Sequence, residues 1–161
     1  MHETTLTALS AVQAILAPAI GISAVGLLLL GLNTRYSAII NRIRLLNDEK
    51  RRFTRQLSEQ KDLSFIDNAR LMSIGKQSER LLVRCRLVRN AILSMQTAIG
   101  LFVLTSVLIG VSLFAHADAF GVIPLVTFLL GLVIVFVGVI YSATEVYRSF
   151  AIVLIEMKAE E

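Results

Sequence analysis

The chain has 161 residues, of which 55% are hydrophobic and 17% charged, with a formal net charge of +4 and a mean hydropathy of +0.72. This composition excludes a water-soluble globular domain and predicts an all-α integral membrane protein, because the charges are confined to separate blocks between long apolar runs. A single cysteine, Cys85, excludes an intrachain disulfide and a cysteine-based zinc site.

The first apolar run contains no charged residue between Thr4 and Thr34. About 20 apolar residues cross the hydrocarbon core of a bilayer, so this run predicts a first transmembrane helix at about residues 6–32. The N-terminus carries Glu3 where a secretory signal would be basic, and we therefore expect the segment to remain in the mature protein.

Beyond the first span the apolar residues follow heptad spacing, and neither Gly nor Pro interrupts residues 32–63. The first seam consists of Tyr36, Ile39, Ile43, Leu46, Phe53 and Leu57, with Lys50 at the remaining position. The returning seam consists of Leu71, Ile74, Ser78, Leu81, Cys85 and Val88, and continues through Ile92 and Met95. Two such helices joined near residues 61–68 predict a long antiparallel hairpin, about 34–89, continuous with the first two spans.

Two more charge-free runs follow the hairpin and predict spans at about 90–115 and 122–145, joined by the turn 116–121 and followed by a short C-terminal tail, 148–161. Residues 33–89 hold 14 of the 16 Lys and Arg, and the other two, Arg148 and Lys158, lie near the C-terminus. The positive-inside rule therefore predicts an outside N-terminus, with the hairpin and the C-terminus in the cytoplasm.

Four stretches of this sequence, Ala17–Ser23, Gly26–Asn33, Arg35–Ser37 and Asn41–Asn47, together with residues 80–90, resemble a family of short bacterial membrane proteins. That family is catalogued only as a domain of unknown function, and the resemblance covers about residues 9–148. It implies a multi-pass protein of the bacterial inner membrane with three spans. It brings no activity and no catalytic residues with it.

Small and polar residues recur on one face of the first span and one face of the third. These candidate pathway or packing residues are Ser23, Gly26, Asn33, Thr127, Gly131, Gly138, Ser142 and Glu145. Such stripes are typical of close helix packing, and a water-lined pathway is the alternative. Glu145 also lies at about the membrane depth of Arg35 and Arg89, which predicts an interfacial ion pair or, in an oligomer, a charged ring at a pore mouth.

The hairpin is strongly basic, and four of its residues near the membrane, Arg42, Arg44, Arg84 and Arg86, are candidates for contact with anionic lipid. Nucleic acid is not expected as a partner, because the aromatic residues of the hairpin are too sparse for a stacking surface. His2, Glu3, His116 and Asp118 do not form a recognisable metal site, and no metal or cofactor is expected. No nucleophile and histidine form a known catalytic motif, so we do not expect an enzyme.

Two functions remain open from the sequence. The first is a homo-oligomeric ion channel or permeation pathway with a cytoplasmic helical stalk, which requires an oligomer because three spans cannot enclose a conduit. The second is a non-conducting membrane scaffold or regulator whose basic hairpin docks a partner or anionic lipid.

Overall fold

The fold consists of three long α-helices: α1 (His2–Glu59), α2 (Phe65–Ala115) and α3 (Val122–Ala159). This computed structural model describes the backbone of residues 2–59, 65–115 and 122–159, and the side chains of residues 13–55, 72–112 and 122–148. Every residue in the described backbone is helical, so the protein is all-α in this part of the chain.

Each helix contains a stretch long and apolar enough to cross a membrane: Gln13–Arg55 in α1, Met72–Ser112 in α2 and Val122–Arg148 in α3. The three charge-free runs thus fall in three separate helices. Pro18 lies inside α1 without ending it, although a proline removes one backbone hydrogen bond from a helix interior.

The chain divides into two compact units, and each helix contributes residues to both. The first, which we call the span unit, contains residues 1–32 and 90–142. The second, the hairpin unit, contains residues 33–89 and 143–161. The boundaries lie close to the points where the long uncharged runs begin and end.

The span unit is packed around Phe102 of α2, whose side chain is fully buried. Glycines of the other two helices face its ring: a Cβ placed on Gly21 would lie 3.1 Å from Phe102 Cε2, and one on Gly131 would lie 2.6 Å from Phe102 Cε1. The Phe128 ring lies 5.4 Å from the Phe102 ring, centroid to centroid. Two glycines therefore make room for one aromatic ring, and the centre of this unit is filled by a side chain.

Buried residues recur every seven positions along α1 and α3. Within residues 13–55 the buried residues of α1 are Pro18, Val25, Leu32, Ile39 and Leu46. Within residues 122–148 those of α3 are Pro124, Gly131, Gly138 and Glu145. A seven-residue repeat keeps one face of a helix against its neighbours when the helices pack with a left-handed twist.

In the hairpin unit, burial follows the seams predicted from the sequence. Among the seam residues with described side chains, Ile39, Leu46, Ile74 and Val88 are buried, whereas Lys50 is exposed. Neighbouring apolar residues off the seams are exposed, as at Leu45 and Met72. Arg35 of α1 and Arg84 of α2 reach the same carboxylate of Glu145, so α1 and α2 lie beside α3 at this level.

The segment 148–161, expected from the sequence to be a short tail after the third span, is helical to Ala159, because α3 meets no Gly or Pro after Gly138 and its apolar residues continue through Ile155. Helix α2 begins at Phe65, within the connection expected near 61–68. The turn 116–121 and the side chains of His2 and Glu3 lie outside the described residues, and so do the metal candidates placed there.

Candidate functional site

The candidate site is centred on Glu145 of α3, a carboxylate with only 5% of its side chain exposed. Arg84 of α2 donates hydrogen bonds from Nε at 3.0 Å and from Nη2 at 2.7 Å, both to Oε1 of Glu145. A buried carboxylate is costly unless it is paired and hydrogen-bonded, and these two bonds provide both forms of compensation. All the residues involved belong to the hairpin unit.

Arg35 of α1 is the second cation at this site. Its Nη1 lies 3.9 Å from Oε2 of Glu145, and 55% of its side chain is exposed. This separation exceeds hydrogen-bond distance, so the interaction is a loose ion pair rather than a directed bond. Two guanidinium groups therefore share one carboxylate, and these three groups together carry a formal charge of +1.

The three charged residues line an open-sided cavity of about 300 Å³. Its other lining residues are Ala38 and Ile39 of α1 and Val146 of α3. The cavity thus combines an apolar wall with a net positive cluster, and such a combination suits a ligand with an anionic and an apolar part.

The sequence singled out Glu145 and Arg35 but placed Arg84 among the lipid-facing basic residues. The structure instead brings the Arg84 guanidinium onto Glu145, with 31% of its side chain exposed. Arg42, Arg44, Arg86 and Arg89 are exposed. No sequence signal distinguishes Arg84 from these neighbours, because the register between the helices determines which arginine meets Glu145.

The polar stripe of α3 is largely a packing face in the span unit. Gly131 lies against Phe102, and a Cβ on Gly138 would lie 3.1 Å from Met95 Cε and 3.2 Å from Ser94 Cβ. Thr127 is half-buried and donates its hydroxyl hydrogen to the carbonyl of Ile123. The packing interpretation therefore accounts for both glycines of α3, and Ser142 is half-buried.

The polar stripe of α1 has a different environment. In the span unit Ser23 is exposed, with its hydroxyl donating to the carbonyl of Ala19. Gly26 is half-buried, and a Cβ on it would have no described atom within 4 Å apart from its own neighbouring helix backbone. In the hairpin unit Asn33 is exposed. Contacts among the described residues therefore do not explain why small and polar residues occupy this face of α1.

Comparison with known proteins adds one family. A protein-family model described as protein of unknown function (DUF2721) matches residues 15–155, which is most of the chain. This match confirms the resemblance to a domain of unknown function noted from the sequence. No curated protein and no solved structure matches this chain.

Proposed function

The chain belongs to that family of unknown function, and we propose that it is an integral membrane protein that assembles as a homo-oligomer around an ion permeation pathway. In this proposal the polar stripe of α1, consisting of the exposed Ser23 and Asn33 and the half-buried Gly26, faces the symmetry axis. The chain has no enzymatic activity in this proposal, and its hairpin is the cytoplasmic stalk of the assembly.

The observation that carries the proposal is the contrast between the two glycine-containing stripes. Gly131 and Gly138 of α3 contact side chains of α2, whereas a Cβ on Gly26 would have no described atom within 4 Å apart from its own neighbouring helix backbone. In membranes, small residues are concentrated where helices approach closely, and polar side chains face protein or water rather than lipid. In an oligomer, a second copy of the chain would pack against the small residues of this α1 face, and water along the symmetry axis would solvate its polar residues.

A pathway inside a single chain is not supported, because Phe102 fills the middle of the span unit. The charged ring of Glu145 considered from the sequence is not part of the proposal either. Glu145 is buried and bound to Arg84, and the ion-pair alternative fits this geometry better. The polar residue of α1 at the end of the uncharged run, Asn33, takes that place in the proposed pathway.

The proposed orientation places the N-terminus outside a bacterial inner membrane, with the 33–89 hairpin and the C-terminus in the cytoplasm. It is supported by the distribution of basic residues, 14 of 16 of which lie in that hairpin. The bilayer itself and further copies of the chain are then its first partners.

The test is to measure the mass of the purified protein in mild detergent and then its conductance in planar bilayers across voltage, pH and membrane tension. We expect a closed oligomer that conducts, and a rise in cation over anion preference in Asn33→Asp, because a ring of carboxylates would face the permeating ions. Asn47→Asp is the matched control: Asn47 is also exposed and lies two heptads further along α1. Positions 33 and 47 are about 21 Å apart along the helix, which is beyond the Debye length in physiological salt. A charge at position 47 should therefore have little effect on ions near position 33.

A non-conducting scaffold is the second candidate, and the exposed basic surface of the hairpin favours it. Asn47, Lys50, Arg51, Thr54 and Arg55 line a shallow depression on α1. Such a surface suits an acidic partner or an anionic membrane surface. An oligomer or monomer that stays electrically silent under all these conditions would replace the conduction proposal with this one.

A further inference from the structure

The cavity beside Glu145 holds more positive charge than Glu145 can compensate. Arg84 directs Nε and Nη2 onto Oε1, and because a guanidinium carries five N–H donors, Glu145 uses only part of its donor capacity. Among the described residues Arg35 contacts this carboxylate through the 3.9 Å pair to Oε2, and moving it toward an anion breaks no short hydrogen bond within that part of the chain. The site therefore presents two guanidinium groups to one anionic group.

The shape and lining of the cavity restrict what that anion is attached to. About 300 Å³ is enough for a phosphate and the atoms next to it, and Ala38, Ile39 and Val146 form an apolar wall. A free phosphate gains nothing from contact with such a wall, whereas an amphiphile buries apolar surface against it. The lining thus favours a phosphate that carries an apolar body.

The positions of these residues along the chain indicate where the amphiphile comes from. No charged residue separates Glu3 from Arg35, and Glu145 is the first charged residue after Asp118. In the proposed membrane protein, charges that directly follow uncharged spans lie at the depth of the lipid headgroups, where Arg forms bidentate pairs with phosphate. We propose that the cavity lined by Arg35, Arg84 and Glu145 binds the headgroup phosphate of an anionic phospholipid.

Glu145 has a defined part in this site. Its carboxylate fixes the orientation of the Arg84 guanidinium through two hydrogen bonds, so one cation of the site is preorganised before lipid arrives. Arg35, which is more exposed, closes on the phosphate from α1. The net charge of +1 gives an anionic lipid such as phosphatidylglycerol an advantage over a zwitterionic one with the same phosphate.

The experiment is native mass spectrometry of the full-length protein, titrated separately with phosphatidylglycerol, phosphatidylcholine, glycerol 3-phosphate and inorganic phosphate. We expect retention of phosphatidylglycerol and much weaker retention of the other three. In Arg35→Gln the affinity for phosphatidylglycerol should fall about fivefold, which corresponds to ~1 kcal/mol for one basic side chain near a membrane surface. Arg51→Gln removes an exposed arginine of the same helix and should leave the affinity unchanged.

A second variant tests the cavity itself while keeping every charge. Ala38→Phe places a ring in the cavity and should lower phosphatidylglycerol retention to the level of phosphatidylcholine, with helical circular dichroism unchanged. Equal losses in Arg35→Gln and Arg51→Gln would show a diffuse basic surface and overturn the proposal. So would unchanged binding in Ala38→Phe, or retention of inorganic phosphate as strong as that of phosphatidylglycerol. No current is measured, so a silent channel leaves this result intact.

Discussion

At the scale of single residues, the stability of the hairpin unit depends on whether the Glu145 carboxylate keeps the two hydrogen bonds from Arg84. Removing one member of a buried ion pair costs 3–5 kcal/mol in typical cases, because the other charge is left buried and uncompensated. The Arg35 Nη1, at 3.9 Å, is too distant to replace the hydrogen bonds that Arg84 provides. The burial of Glu145 thus makes Arg84 the more critical of the two arginines.

We predict that Arg84→Met lowers the free energy of unfolding by about 3 kcal/mol, measured by reversible unfolding in mixed micelles. Arg86→Met, an exposed arginine two residues along α2, should change it by less than about 0.5 kcal/mol. The double variant Arg84→Met with Glu145→Leu should lose less than Arg84→Met alone, since no charge is then left buried. A similar loss in the Arg84 and Arg86 variants would contradict the assignment.

Gly131 gives a second prediction at this scale, because a methyl group there would lie 2.6 Å from Phe102 Cε1 and 3.0 Å from Cδ1. The ring cannot move away freely, since Gly21 of α1 lies against its other edge. We expect Gly131→Ala to destabilise the protein by about 2 kcal/mol in thermal unfolding, as overpacking does. Gly100→Ala has open space around its Cβ and should be neutral or stabilising by up to about 1 kcal/mol, through helix propensity.

The residues of the site were only partly predictable from the sequence. Glu145 and Arg35 stand out because each is the first charged residue after a long uncharged run. Arg84 and Phe102 do not, because the chain has 16 basic residues and eight phenylalanines with no local pattern that ranks them. Their roles depend on the register between helices, which is set by tertiary packing rather than by spacing within one helix.

At the scale of helices, the sequence predicted the elements well, because period and charge are properties of each helix alone. The heptad positions Ile39, Leu46 and Ile74 are buried, and the same seven-residue spacing extends into the apolar run through Val25 and Leu32. Within the apolar run the seven-residue spacing could not be seen in the sequence, because nearly every residue of a lipid-exposed run is apolar. Helix α3 continues beyond the predicted third span, because no Gly or Pro follows Gly138 and the apolar residues continue through Ile155.

The seam provides a test with two adjacent leucines. Leu46 is 5% exposed and Leu45 is 63% exposed. We expect Leu46→Asp to destabilise the hairpin by a few kcal/mol, because it buries an unpaired carboxylate between helices. Limited proteolysis should then cut the 34–89 region rapidly, while Leu45→Asp should resist cleavage as the wild type does. Equal resistance in both variants would mean that α1 and α2 do not share this seam.

At the scale of the whole molecule, the proposed orientation can be tested directly in cells. With Cys85 replaced by Ala, a cysteine at Thr4 or Ala117 should react with an impermeant thiol reagent added outside, and one at Ser58 should react only after the membrane is permeabilised. The reason is that all 16 Lys and Arg lie on the side assigned to the cytoplasm. Labelling of the Ser58 variant in intact cells would reverse the topology.

The assembly test depends on two glycines of α1 that have open space around them. Gly26 is half-buried and Gly31 is exposed, and a Cβ on either would have no described atom within 4 Å apart from its own neighbouring helix backbone, so the described side chains restrict neither position. They are five residues apart, which places them about 140° apart around the helix, and only Gly26 shares a face with Ser23 and Asn33. If that face meets a second copy, Gly26→Leu should separate the helices and weaken association about tenfold or more.

Gly31→Leu adds the same side chain to a different face and should leave the oligomer intact. The measurement for both variants is the mass of the protein–detergent complex across a dilution series, with helical circular dichroism as a check on folding. Dissociation of the Gly26 variant alone would support a symmetric interface along the α1 stripe, because the same leucine side chain at position 31 would then leave the oligomer intact. If both variants assemble as the wild type does, the stripe faces lipid, and the proposed pathway loses the surface on which it depends.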